Sequence, residues 1–293
     1  MRTRLLLAAL ALAAAAALIA GCAQAEAQPV LYIGGIPDQD VAILEETFNG
    51  VASYLSEELD IPVEYRPSIE YAPLVTAFKN GDIKLAWFGG LTGVQARLAA
   101  PGSEAIAQRP IDTEFTSVFI TGANVQANSL ADLSGTSFTF GSVSSTSGHL
   151  MPRHFLTQAG VDPATDFRGQ PNFSGSHDTT WQLVEAGSFE AGALNSAVWE
   201  RAVAQGQVDT AKVRVLLETE PYWDYHWVIH PGVDEVYGEG TAQRIEEALL
   251  AMSTSDTAQA RTLELFQTGR FIETANGNYD AIESVARQLG MIE

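Results

Sequence analysis

Apolar positions along this chain alternate between two rhythms. Val30-Leu31-Tyr32-Ile33 is an unbroken apolar run closed by Gly34-Gly35-Ile36-Pro37, which predicts a buried strand ending in a turn. From Ala42 to Leu59 the residues Leu44, Phe48, Val51, Leu55 and Leu59 recur at helical spacing and share one face. Ile61 to Tyr65 predicts a second strand, Tyr71 to Asn80 a second helix stopped by Gly81, and Lys84 to Phe88 a third strand running into Gly89-Gly90. Strands alternating with helices over short turns imply parallel pairing with helices on both faces of a sheet.

The rhythm restarts after the apolar strand Thr116 to Thr121. A short helix at Ser129 to Leu133, a strand at Ser137 to Phe140 and a helix at His149 to Ala159 follow. Further strands are expected near Phe167 to Phe173, Phe189 to Ala193, Val213 to Thr219 and His226 to Ile229. Helices are expected at Thr179 to Ala186, Ser196 to Gln205, Thr241 to Leu250, Asp256 to Gln267 and Tyr279 to Leu289. Two similar units and a helical tail indicate an α/β fold of two lobes, with the chain crossing near Thr121 and Tyr222. The first lobe is expected over 30–121, the second over 122–222, and the return to the first over 223–293. Ligands of open α/β sheets bind beyond the carboxyl ends of the strands. The turns after Ile36, Phe88, Phe140 and Ala193 are such ends, and they are expected to converge on one cleft.

The first residues follow neither rhythm. A basic start with Arg2 and Arg4, a long Leu/Ala run, and Leu18-Ile19-Ala20-Gly21 before Cys22 predict an export signal over 1–21, with a short linker over 22–29. The same ending resembles a bacterial lipobox, which makes Cys22 the expected site of lipidation and of a membrane anchor. Cys22 is the only cysteine, so no intrachain disulfide forms. The whole chain carries a formal charge of −20, and losing Arg2 and Arg4 takes it to −22. Such a surface excludes nucleic acid as a partner and repels anions at long range. An anion site here has to work through local geometry.

One segment offers that geometry. Phe140-Gly141-Ser142-Val143-Ser144-Ser145-Thr146-Ser147-Gly148 joins a strand to a helix and crowds hydroxyls between two glycines. Free N–H groups and hydroxyl donors at one positive helix end form a seat for a small oxyanion. A single residue suffices for an N-cap, so this excess of hydroxyls points beyond capping. Other candidates are His177 in Gly-Ser-His-Asp, Asn195 after a strand end, and Gly90 after Phe88. Asp38 either faces the cleft or caps the next helix, and Tyr225 lies in the aromatic run Tyr222 to Trp227. If Asp178 or the ligand raises the pKa of His177, binding is expected to weaken as the imidazolium is lost at higher pH. The histidines are not spaced as a metal set, and no cofactor motif is present. Gly-x-Ser-x-Gly, Ser-x-x-Lys, Walker and His-Glu-x-x-His motifs are all missing, which argues against an enzyme. A serine hydrolase using Ser145 and His177 is the remote alternative.

Tyr71-Ala72-Pro73-Leu74-Val75-Thr76-Ala77-Phe78, Ala86-Trp87-Phe88-Gly89-Gly90-Leu91-Thr92, Phe138 to Pro152 and Gly175-Ser176-His177-Asp178 occur in that order. Together they resemble the phosphonate-type solute-binding proteins of ABC importers, and in wording are closest to a subgroup named for selenate binding. The resemblance implies a type II periplasmic-binding-protein fold, with two α/β lobes joined by a hinge and a ligand cleft between them. It implies an extracytoplasmic binding protein serving an ABC permease and ATPase, or alternatively a receptor feeding a sensor kinase, and a closing two-lobed receptor of this kind is expected to be a monomer. By motif, Ser145, Thr146 and Ser147 would hold the oxyanion, with His177 opposite and Tyr71 supplying a phenol. Phe115 stands where relatives often have a second aromatic hydroxyl. Val198 and Tyr225 stand where those relatives place carboxylates around an ammonium, which disfavours an aminoalkyl phosphonate.

Overall fold

A computed structural model of the chain describes residues 28–293, so the expected signal and Cys22 lie outside the described residues. In chain order the strands are β1 (Leu31–Gly35), β2 (Val63–Tyr65), β3 (Leu85–Phe88), β4 (Glu104–Gln108), β5 (Ser117–Gly122) and β6 (Phe138–Phe140). They continue with β7 (Asn172–Phe173), β8 (Ala191–Asn195), β9 (Val213–Glu218), β10 (His226–Ile229) and β11 (Ile272–Glu273). They form two sheets, ordered β11-β4-β10-β3-β1-β2 and β7-β6-β8-β5-β9. The helix Val41–Leu59 buries the face read from its spacing, with Leu44, Phe48, Val51, Leu55 and Leu59 all inside. The 90–99 helix and β4 carry weaker patterns that the sequence reading did not separate.

Pairing is mixed rather than parallel throughout. β1 pairs in parallel with β2 and β3, but β10 runs antiparallel between β3 and β4, and β5 antiparallel between β8 and β9. The reason is directional. Strands of βα units end at the cleft, whereas β5 and β10 enter their sheets from it, directly after a crossing. The sequence boundary at residue 121 is also displaced: Ser117–Gly122 belongs to the second sheet, so the chain leaves the first lobe between Gln108 and Ser117.

The two crossings, 109–116 and 219–225, are tied to each other. Phe115 and Tyr222 exchange backbone hydrogen bonds of 2.8 and 2.9 Å, and the Asp224 N–H donates to the Asp112 carbonyl at 3.0 Å. Arg109 is buried at the start of the first crossing. Its Nε and Nη2 donate to the two Asp112 carboxylate oxygens at 2.7 and 2.6 Å, and its Nη1 donates to the Phe266 carbonyl at 2.9 Å. The guanidinium lies 5.4 Å from the Trp87 ring centre and 5.0 Å from that of Tyr225.

Removing one partner of a buried ion pair leaves an uncompensated charge. Asp112→Ala is therefore expected to cost about 3–5 kcal/mol in urea-induced unfolding. Asp112→Asn, which keeps one acceptor, should cost less. A loss under about 1 kcal/mol for the alanine variant would mean the crossing does not depend on this pair.

Candidate functional site

The strand ends of both lobes meet as their topology requires. From the first lobe come Asp38, Tyr71 and the Gly89-Gly90 turn; from the second come the 141–148 loop, His177 and Asn195. The crossings add Phe115, Tyr222, Asp224 and Tyr225. Asp38, Tyr71, Phe115, Ser145, Thr146, Ser147, His177, Asn195, Asp224 and Tyr225 are all buried.

The hydroxyl loop is shaped by close approach. A Cβ on Gly148 would lie 2.9 Å from Ser145 Oγ and 3.1 Å from both Gly141 Cα and His177 Cε1, so only glycine fits. Ser145 acts as N-cap, its Oγ accepting from the Gly148 N–H at 2.9 Å. A π-helical turn, Thr146–Leu150, follows and continues into the helix Met151–Gln158. The helix therefore starts earlier than the expected His149, and its first turn is wide. In that turn the backbone N–H groups of Thr146 and Ser147 find no backbone acceptor among the described residues. Thr146 Oγ1 bridges the lobes by accepting from the Leu91 N–H at 3.0 Å. Ser147 Oγ is buried and makes no hydrogen bond among the described residues.

Opposite this loop, Tyr225 gathers the remaining polar groups. Its hydroxyl donates to Asp38 Oδ2 at 2.8 Å, accepts from Asn195 Nδ2 at 3.1 Å and lies 3.3 Å from His177 Nε2. His177 Nδ1 accepts from the Asn195 N–H at 3.3 Å, which assigns its proton to Nε2. Burial pushes this imidazole down to about 3, so it is a neutral donor and not the imidazolium considered from sequence. Asp178 does not act on it; that carboxylate accepts from the Asp40 N–H. Asp38 faces the cleft, while the cap of the next helix is Asp40. Burial pushes Asp38 up to about 6, held back by its Tyr225 hydrogen bond and by Arg109.

Other candidates take different parts. The Gly90 N–H donates to Asp224 Oδ1 at 2.8 Å and is thereby engaged. Phe115 presents no polar atom; its ring packs edge-on to Tyr222 and Tyr225. The Tyr71 hydroxyl is buried and, among the described residues, has no hydrogen-bond partner. Ser145 and His177 make no hydrogen bond to each other among the described residues, so the geometry of a serine hydrolase is not assembled.

Sequence reasoning passed over three groups. Asp224 is fully buried, and burial pushes it up to about 7. Its Oδ2 lacks any hydrogen bond among the described residues. The Tyr222 hydroxyl lies 2.6 Å from Ser117 Oγ, which donates to the Ser147 carbonyl and so braces the loop. Arg109 is the third. A lone carboxylate within Trp223-Asp224-Tyr225 and an Arg-x-x-Asp spacing were the available signals.

Two lobes that meet over a buried set of hydroxyls, N–H groups and carboxyls, served from strand ends, form the cleft of a solute receptor, and no catalytic arrangement is assembled there among the described residues. The chain belongs to the ABC transporter phosphonate periplasmic substrate-binding protein family, whose pattern it matches over residues 33–279; such proteins bind and are not enzymes. It is 42% identical over 270 residues, 90% of this chain and 91% of the other, to a probable ABC transporter phosphite binding protein, PhnD1, of Prochlorococcus marinus. The 1.52 Å structure of that PhnD1 with methylphosphonate superposes with a TM-score of 0.87 over 90% of this chain and 99% of the other. A binding protein component of a Pseudomonas aeruginosa ABC phosphonate transporter shares the fold at 18% identity, with a TM-score of 0.77 over 88% of this chain and 85% of the other.

The raised carboxyls make a pH signature. A carboxyl whose folded pKa is raised stabilises the protein below its ordinary pKa and loses that contribution as pH rises through the folded value. For Asp38 the window runs from about 4 to about 6. Buried His149 and His177, pushed down to about 4 and about 3, pull the other way, so the difference between variant and parent is the observable. Measured without ligand, Asp38→Asn should gain on its parent by about 2–3 kcal/mol across that window. A flat difference would mean Asp38 titrates normally.

Proposed function

We infer that this protein captures a small tetrahedral phosphorus oxyanion, of phosphite or methylphosphonate size, and delivers it to an ABC permease and its ATPase. The carrying observation is the pair of buried, unpartnered hydroxyls of Tyr71 and Ser147, one from each lobe. Such groups are costly unless an acceptor reaches them. An anion between the lobes would satisfy both, together with the N–H groups of Thr146 and Ser147, and His177 and Tyr225 would complete the wall. Closing the lobes excludes water, which strengthens each of these contacts.

Asp38 and Asp224 narrow the ligand. A phosphorus oxyanion that keeps an O–H proton near neutral pH donates to a carboxylate, whereas selenate or sulfate presents only acceptors. This favours phosphite and methylphosphonate over the selenate suggested by the subgroup resemblance, in line with the name and ligand of the 42% identical relative. Val198 offers no charge to an ammonium, which disfavours 2-aminoethylphosphonate. Export and acylation at Cys22 would tether the receptor, as a monomer, to the outer side of the membrane.

Calorimetric titration of the chain lacking residues 1–22 tests this with phosphite, methylphosphonate, phosphate, selenate, sulfate and 2-aminoethylphosphonate. Phosphite or methylphosphonate should bind tightest. Tyr71→Phe and Ser147→Ala should each weaken binding about ten- to hundredfold, the loss of one hydrogen bond to a charged group. Tight selenate binding beside silent phosphite would overturn the ligand, and unchanged affinity in both variants would overturn the site. Separately, acylation of the full chain should be lost in Cys22→Ser.

A further inference from the structure

The segment between β1 and the 41–59 helix is bonded to the second lobe at three successive residues. The Asp38 carbonyl accepts from the His177 N–H at 2.9 Å. Gln39 Oε1 accepts from Arg201 Nη2 of the 196–204 helix. The Asp40 N–H donates to Asp178 Oδ2 at 2.9 Å. The row runs from the buried site out to the rim, where Asp40 is exposed. Gln39, Asp40, Asp178 and Arg201 border an open groove of about 720 Å³ along the seam. Asp40 and Asp178 face only this groove, whereas Gln39 and Arg201 also line a small inner cavity with Asp38, Asn195 and Tyr225.

Asp178 has an electrostatic role across this seam. It occupies the first turn of the 177–185 helix, where a carboxylate is favoured by the positive end of the helix dipole. Its Oδ2 accepts from the Asp40 N–H at the start of the 41–59 helix of the other lobe. One carboxylate thus serves two helix ends that belong to different lobes. Asp40 cannot substitute for it, because its own carboxylate already caps Ala42 and Ile43. Because the contact spans the two lobes, rotating them apart would break it.

We propose that Asp178, assisted by the Gln39–Arg201 pair, is a closure latch: a positioning set that does not touch the oxyanion but fixes how much of the protein is closed. Apparent affinity scales with the fraction in the binding-competent state, so the latch sets affinity and residence time from outside the site. The affinity readout rests on the ligand proposed above; the conformational readout does not.

The test places spin labels at Glu45→Cys in the first lobe and Gln205→Cys in the second, on the chain lacking residues 1–22. Interlobe distances are measured without ligand, and methylphosphonate dissociation is followed by stopped flow. Asp178→Ala with Gln39→Ala should shift the distances to longer values. It should also raise Kd about tenfold, through faster dissociation at a nearly unchanged association rate. Asp178→Asn, whose amide oxygen still accepts from the Asp40 N–H, should restore most of both. Unchanged distances and dissociation in the double variant would overturn the latch, as would a variant that only lowers the melting temperature. If methylphosphonate fails to bind the parent protein, the ligand proposal falls while the distances still decide the latch.

Discussion

Among the described residues, Arg109 is the one arginine or lysine that is buried, and the polar interior is arranged around it. Asp112 neutralises it through two short hydrogen bonds, and Asp38 and Asp224 lie within its field. Because that positive charge is already paired, it cannot act as a free counter-ion to an oxyanion. The cleft faces its ligand instead with hydroxyls, backbone N–H groups, a neutral imidazole and the carboxyl groups of Asp38 and Asp224. Directional donors distinguish the protonation and substituents of an oxyanion in a way that a bare charge does not. The pair sits at the first crossing, so the element that neutralises the interior also connects the lobes.

That connection explains how residues far apart in sequence come together. Strands of the βα units deliver Asp38, Gly89, Ser145 and Asn195 at their carboxyl ends, and the crossings insert Asp224 and Tyr225 from the opposite direction. The Phe115–Tyr222 bridge binds the two crossings into one ribbon, so the lobes turn about a shared support. Glycine appears where this convergence leaves no room. A Cβ on Gly89 would come within 3.0 Å of Thr146 Oγ1 and 3.2 Å of Asp224 Oδ1.

Much of this was legible in the sequence because it is local. The 41–59 helix face, the turns after β1, β3 and β6, and the hydroxyl loop follow from spacing and small-residue chemistry, and the structure brings those turns together. The position of β5 was misread because an apolar strand carries no mark of which sheet it joins. The antiparallel strands escaped for a similar reason: direction depends on a crossing, not on composition. Asp224 and Arg109 were missed since burial of a charge is a tertiary fact: in sequence Asp224 resembles a surface carboxylate between aromatics, and Arg109 an ordinary charged residue before a proline. The charge state of His177 was likewise invisible, being set by how completely its surroundings exclude water.

An acidic exterior around a water-excluded interior of fixed hydrogen-bonding groups separates the kinetics of capture from the strength of the hold. The formal charge of −20 repels an approaching anion over distances that dissolved salt shortens, to about 8 Å at physiological ionic strength. The contacts inside are water-excluded and beyond the reach of that screening. Adding salt should therefore speed the arrival of the anion while leaving its departure untouched. A receptor of this construction gains affinity in brine, where one relying on exposed lysines would lose it.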